Sequence, residues 1–245
     1  MTTTTAIPYA ADLEKTVSQY VLEHPELTRV FETLGIDYCC GGKKPIGELF
    51  EKKGLDAVTF VQVLPFMLRN GQEQVADPGA LSLDALIENI VHTHHAYLRQ
   101  ELPRINALVE KVAAVHGKQE TRLLALHSVI QQFTDEINAH AAKEEHVLFP
   151  AINQLLQAQE PPRFPFGTLA NPIQAMEMEH DQAGGGLEEM RALTDGFTPP
   201  EWACNTFRAL YDALGTLEKD MHIHIHKEIN ILFPRALELE QKLAS

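Results

Sequence analysis

Two stretches of this sequence carry the same chemistry-bearing residues in the same register. His140-Ala-Ala-Lys-Glu144-Glu-His-Val-Leu148-Phe-Pro150 and His224-Ile-His-Lys-Glu228-Ile-Asn-Ile-Leu232-Phe-Pro234 both read H-x-x-x-E-x-x-x-L-F-P, with corresponding positions 84 residues apart. A fixed internal offset marks a duplicated structural unit. Upstream, His95 and His180 lie 85 residues apart and precede His140 and His224 by 45 and 44 residues. Each half therefore supplies one isolated histidine and one H-x-x-x-E.

Residues four apart sit about 40° from one another on a helix, so each His–Glu pair shares a face. Their neighbours identify that face as the inward one. Leu126, Ile130, Phe133 and Ile137 continue into His140, Glu144 and Leu148, and Leu210, Leu214, Leu217 and Met221 continue into His224, Glu228 and Leu232. Leu83, Ile87, Val91, Leu98, Leu102 and Ile105 bracket His95, while Ile173, Met176, Ala183 and Leu187 bracket His180. Six ionisable side chains thus fall on core positions, where leaving them unpaired would cost on the order of several kcal/mol each. A single histidine on an apolar face is most often a hydrogen-bonded core residue. Four histidines and two glutamates, duplicated and all inward, instead have the make-up of a metal site.

Mixed imidazole and carboxylate donors suit iron, manganese or zinc rather than copper or calcium. Two equivalent halves suggest two ions, each with two histidines and both sharing the glutamates as bridges. An oxo or hydroxo bridge would bring each ion to about five ligands, leaving about one position for water or a diatomic molecule on a six-coordinate metal. The other histidines have weaker claims. His222 and His226 lie about 200° from His224 and are expected in water. His92 aligns with Glu88 and Arg99 and is also expected in solvent. His94 adjoins Ile90 and Leu98 and stays undecided, and His116, His127 and His146 have no repeat partner.

The elements that must position these residues are four long amphipathic patterns, at about 83–115, 120–157, 172–194 and 200–242. Gly and Pro clusters separate them, and Thr198-Pro-Pro-Glu201 predicts a capped helix start. No alternating strand pattern is present. The fold class expected is all-α, a small N-terminal helical domain (10–70), a linker (71–82) and an antiparallel four-helix bundle (83–242). The N-terminal domain holds adjacent cysteines, Cys39 and Cys40, followed by two glycines. Adjacent cysteines rarely form a relaxed disulfide with each other, and the glycines are expected to leave the thiols exposed. The plain alternative is two small buried residues before a turn. Cys204 is expected to pack within the last helix.

Composition excludes other classes. Asp+Glu number 34 against 20 Lys+Arg, a net charge of −14. That balance disfavours nucleic acid and anionic membrane as partners. Three cysteines, no signal-like start and no apolar run of about 18 residues lead to the expectation of a cytoplasmic protein in a reducing compartment.

The metal pattern departs from the ferritin-type Glu-x-x-His site, which Glu177-Met-Glu-His180 matches only once. It resembles the hemerythrin-like bundle, with both Leu-Phe-Pro endings and Met178-Glu179-His180-Asp181. Together with Asp37-Tyr38-Cys39-Cys40-Gly41-Gly42, the chain from about 12 to 238 resembles the iron–sulfur cluster repair di-iron proteins, the repair-of-iron-centres family. The resemblance implies two non-haem iron ions, with His95, His140, His180 and His224 as terminal ligands and Glu144 and Glu228 as bridges. It implies a role in restoring clusters damaged by nitric oxide or oxidants, through iron delivery or nitric oxide handling. It also implies that Cys39 and Cys40 assist, and that Glu136 and Glu179 line a path for solvent or iron. The partners expected are damaged iron–sulfur proteins, nitric oxide or oxygen as a small ligand and an unidentified reductant, with a homodimer left open. Two alternatives remain, a nitric oxide reductase or ferroxidase-type enzyme and a hemerythrin-like oxygen or nitric oxide sensor. A plain carrier would not need the attached Cys39-Cys40 domain.

Overall fold

A computed structural model describes residues 10–25, 27–39, 42–70 and 78–244. Every regular element among them is helical, and β pairing is limited to the isolated bridges Thr16–Pro45 and Phe164–Gly167. Among the described residues no helix is long and apolar enough to cross a membrane. The chain divides into two compact units, Met1–Leu81 and Ser82–Ser245. Of the expected linker, residues 71–77 lie outside the described residues.

The first unit contains α1 (Ala10–Glu14), α2 (Val17–Glu23), α3 (Leu27–Thr33), α4 (Ile46–Lys52) and α5 (Ala57–Asn70). Thr16 starts α2 with a capping box, its hydroxyl accepting from Gln19 N–H while the Gln19 side chain accepts from Thr16 N–H. Gly35 and Gly54, at φ +62° and +67°, provide the left-handed turns after α3 and α4. Val17, Tyr20, Phe31, Ile36, Tyr38, Ile46 and Phe50 form its buried core. Cys39 belongs to that core at 1% exposure, the small buried residue of the plain alternative rather than an exposed thiol. Asp37 holds it in place, Oδ1 accepting from the Cys39 N–H at 2.8 Å and from Sγ at 3.0 Å. Cys40 lies outside the described residues.

In the second unit, α6 (Leu83–Ile90) continues through a wide π turn (Val91–His95) into α7 (Ala96–His116). The second rod is α8 (Arg122–Lys143), a π turn (Glu144–Leu148) and α9 (Phe149–Gln157). The third is α10 (Ala170–Leu193), and the fourth is α11 (Asn205–Lys227), a π turn (Glu228–Leu232) and α12 (Phe233–Leu243). Contacts run α7–α8, α8–α10, α10–α11 and α11–α7, which closes a four-helix ring. Successive rods run antiparallel. His95 and His180 lie in the first half of their rods, and each H-x-x-x-E lies at or just past the middle of its own. Antiparallel packing therefore brings all six to one level of the bundle.

The repeated Leu-Phe-Pro has a backbone role. Pro150 and Pro234 enter the first turns of α9 and α12 directly after π turns that begin at Glu144 and Glu228. In an unbroken α-helix each proline would lose an i→i−4 hydrogen bond and clash with the carbonyl one turn back. The wider turn relieves that conflict, and π turns of this kind concentrate at functional sites. The third, Val91–His95, has no proline behind it, and nothing in its sequence supplies an equivalent reason.

The start of the fourth helix differs from the expectation. Thr198-Pro-Pro-Glu201 lies outside it, and α11 begins at Asn205 with Cys204 as an exposed N-cap rather than a packed helix residue. Asp195, Gly196 and Phe197 all have positive φ, and Arg208 donates to the carbonyls of Ala203, Pro200 and Glu201. Those bonds hold 200–203 as a turn. The third helix starts at Ala170, ahead of the expected 172.

Gly42 tests the architecture around Cys39. A Cβ there would stand 2.2 Å from the Tyr38 carbonyl oxygen, so Gly42→Ala is expected to destabilise the first unit by roughly 1–3 kcal/mol. Hydrogen exchange at the Ser18 amide, which donates to Gly42 O at 3.0 Å, reads this directly. Unchanged protection of Ser18 would contradict it.

Candidate metal centre

His95, His140, His180, His224, Glu144 and Glu228 are all buried at 2% exposure or less. They form two overlapping groups, His95–Glu144–His224–Glu228 and His140–Glu144–His180–Glu228, whose candidate donor atoms lie within 4.8 Å of one another. Each group takes one histidine from each half of the repeat, and both groups contain both glutamates. Within the groups, His95 Nε2 and His224 Nε2 are 3.2 Å apart, and His140 Nε2 and His180 Nε2 are 3.0 Å apart. Glu228 points one oxygen at each group, Oε1 lying 2.9 Å from His224 Nε2 and Oε2 3.0 Å from His180 Nε2. Glu144 Oε2 lies 3.3 Å from His95 Nε2 and 3.4 Å from His140 Nε2.

These atoms fit a cation. Both Glu144 oxygens are buried without a hydrogen bond of good geometry, a condition that is costly for a carboxylate unless positive charge stands beside it. The imidazoles respond to the same charge. Burial alone would push His95 and His180 down, yet the neighbouring carboxylates outweigh it and leave both raised. For His224 burial wins and its pKa is lowered. Burial pushes Glu228 up, but His224 and His180 hold it well below the ordinary carboxylate range.

A further ring of groups orients the inner six. Glu145 Oε1 accepts from His95 Nδ1 at 2.7 Å and from Arg99 at 2.7 Å. Glu179 Oε2 accepts from His140 Nδ1 at 2.9 Å, and its other oxygen pairs with Lys143. Despite partial burial, these cations and imidazoles lower both carboxylates. Phe149 and Phe233, from the two Leu-Phe-Pro segments, stack on His95 and His180 at 5.9 and 6.0 Å. Glu145 escaped the sequence reading because its repeat equivalent is Ile229. Its one signal there was a second acid placed directly beside a core glutamate.

Glu136 is exposed and accepts from the Gln132 side chain at 2.8 Å. It and Glu179 line a cavity of about 180 Å³ that reaches His140, with Phe133, Lys143 and Gln182. A second cavity, about 210 Å³, reaches His95 between Arg99, Asn138, Glu145 and His146. Among the remaining histidines, His92 is exposed as expected, and His94 is buried. His222 is partly buried, and His226 is 3% exposed, which corrects its placement in water. The two do lie off the ligand face. However, α11 is packed by α6, α7 and α10, so the face away from the ligands is not a face in solvent. Burial and the nearby Lys227 push His226 down to about 4, and Asn230 lies within hydrogen-bond distance of its Nδ1 at 3.0 Å.

Residues 86–236 match the hemerythrin HHE cation binding domain, and residues 13–65 match a domain of unknown function, DUF542. The chain is 35% identical over 227 residues to the iron-sulfur cluster repair protein YtfE of Musicola paradisiaca, covering 93% of this chain and 98% of that protein. It is 36% identical over 222 residues to the protein of the same name from Yersinia pseudotuberculosis, covering 88% of this chain and 93% of that one. The chain belongs to the iron–sulfur cluster repair family. As in that family the second unit is a hemerythrin-type, iron-binding domain.

Placed in this family's bundle, His226 packs but belongs to neither donor group. His226→Ala is therefore expected to lower stability by about 1–3 kcal/mol while leaving metal stoichiometry unchanged. Calorimetry combined with metal analysis would check this; loss of metal without loss of stability would reverse the assignment.

Proposed function

We propose that this chain is a di-iron protein that restores damaged iron–sulfur clusters, with His95 and His224 holding one iron and His140 and His180 the other. Glu144 and Glu228 serve both irons. The observation that carries this reading is the overlap of two four-residue groups on the same two buried carboxylates. The names of the relatives support cluster repair as the task, with damaged iron–sulfur proteins as targets.

When bound, the irons supply one-electron chemistry, a place for nitric oxide or oxygen, and the cargo that a damaged cluster lacks. The chain's own residues prepare that site. Glu145 and Glu179 accept hydrogen bonds from Nδ1–H of His95 and His140, which turns the Nε2 lone pairs inward and strengthens them as donors. Glu228 presents one oxygen to each group. Buried apolar neighbours such as Ile137, Met176, Leu217 and Met221 exclude water from the stripes on which the ligands sit. The cavity with Glu136 and Glu179, together with that beside Glu145, reaches His140 and His95 past carboxylates set among apolar side chains. Cys39, buried against Asp37, and its neighbour Cys40 would assist from the first unit. Between repair and the enzymatic alternative, sustained nitrous oxide formation over many turnovers with a reductant would favour the enzyme.

Anaerobic reconstitution is expected to load two irons per chain that are magnetically coupled. Glu144→Ala or Glu228→Ala should abolish that coupling, and protein that takes up no iron would end the proposal. Imidazole must be neutral to bind metal, and the raised His95 and His180 bring proton competition in above the usual histidine value. Apparent iron affinity should therefore weaken steadily as pH falls from about 8 to about 6. A flat profile in metal titrations would contradict histidine ligation.

A further inference from the structure

The two halves of the repeat place equivalent residues around their H-x-x-x-E histidines, and at one position the equivalence changes chemistry. Glu179 and His94 each stand directly before an upstream histidine, and Lys143 and Lys227 each stand directly before a shared glutamate. Beside His140, Lys143 pairs with Glu179, which accepts from His140 Nδ1 at 2.9 Å. Beside His224, Lys227 Nζ lies 2.8 Å from His94 Nε2. His94 makes no such bond to His224. Instead the two rings lie flat against each other, centroids 5.1 Å apart and planes 5° from parallel.

His94 is 2% exposed, and both its ring nitrogens are committed. A lysine ammonium only donates, so His94 Nε2 accepts and its Nδ1 donates to Asp220 Oδ1 at 2.9 Å. Lys227 is held in turn by Asn89 Oδ1 at 2.7 Å. The ring plane is thus locked from two edges. His224 needs such a neighbour, because its Nδ1 is buried without a hydrogen-bond partner. A metal-binding imidazole ordinarily has its orientation set by a hydrogen bond on that outer nitrogen, as His95 and His140 do.

We propose that His94 is the positioning residue for His224, its ring locked by Asp220 and Lys227 and stacked flat in place of the hydrogen bond that Glu179 makes to His140. The proposal rests on the di-iron reading. Its consequence is an asymmetric centre. Each iron has one imidazole backed by a carboxylate, His95 by Glu145 and His140 by Glu179, so the two irons differ in the rings against their second imidazoles, His94 at His224 and Phe233 at His180.

The test uses the full chain reconstituted with iron-57, read by Mössbauer spectroscopy and by release to a chelator, with melting of the metal-free protein as the fold control. Wild-type protein should show two doublets. His94→Ala should shift one and release one iron faster by about 10- to 100-fold, the range usual for outer partners of a ligand. His94→Phe, which keeps a flat ring, should restore slow release, and Glu179→Ala should shift the other doublet. Asp220→Ala frees one edge of the His94 ring and should repeat the His94→Ala change to a smaller degree. It decides the matter if His94→Ala does not fold. Two irons loaded normally, with these substitutions altering neither doublet or both alike, would overturn this proposal alone. Wild-type protein that loads no iron would overturn the di-iron reading and this proposal with it.

Discussion

Glu144 and Glu228 have no solvent exposure, and they face four imidazole nitrogens rather than lysine or arginine. Two carboxylates in that position repel each other and have lost their water, so the centre of the bundle is favourable only with positive charge between them. Protons on the histidines can provide it, and the raised His95 and His180 reflect that tendency. A metal ion provides it with better geometry, because each carboxylate can reach both groups. The rest of the second unit serves this one electrostatic requirement: four rods bring the donors to one level, and wide turns follow the glutamates.

Charge is layered outward from that centre. Around the inner six stand Glu145 and Glu179, partly buried, each accepting from a ligand-type imidazole. Beyond them stand Arg99 and Lys143, each about half exposed and each holding one of those carboxylates. Both cavities open through this layer, on the His95 and His140 sides. The other two histidines are packed against rings, His180 on Phe233 and His224 on His94. The outer carboxylates and both cavities thus lie on the His95 and His140 side of the centre.

The duplicated motif made much of this visible in advance. An H-x-x-x-E continuing an apolar stripe must enter the core whatever the neighbouring helix is, so the six inner residues and the all-helical bundle followed from period and offset. Glu179 was reached only through resemblance, and Glu145 not at all, since a partner to a ring nitrogen comes from another helix and leaves no spacing in its own. The burial of Cys39 stayed undecided and the exposure of Cys204 was misjudged for a related reason. Asp37 and the packing of its own unit decide the first, and the turn pinned by Arg208 decides the second.

His226 marks the boundary most clearly. Helical periodicity correctly separated it from the ligand face, but periodicity reports only where residues lie around one helix. Whether the far side meets water depends on what packs there, and α11 is contacted on several sides. The chain's sequence by itself determined which ionisable residues enter the core as candidate donors and which helices carry them, because burying charge is a property of each stripe. Only the tertiary structure decided how the donors divide into two groups, which outer residues hold each ring, and that His94 lies flat on His224. Those features are distances between helices, and a one-dimensional pattern contains no such distances.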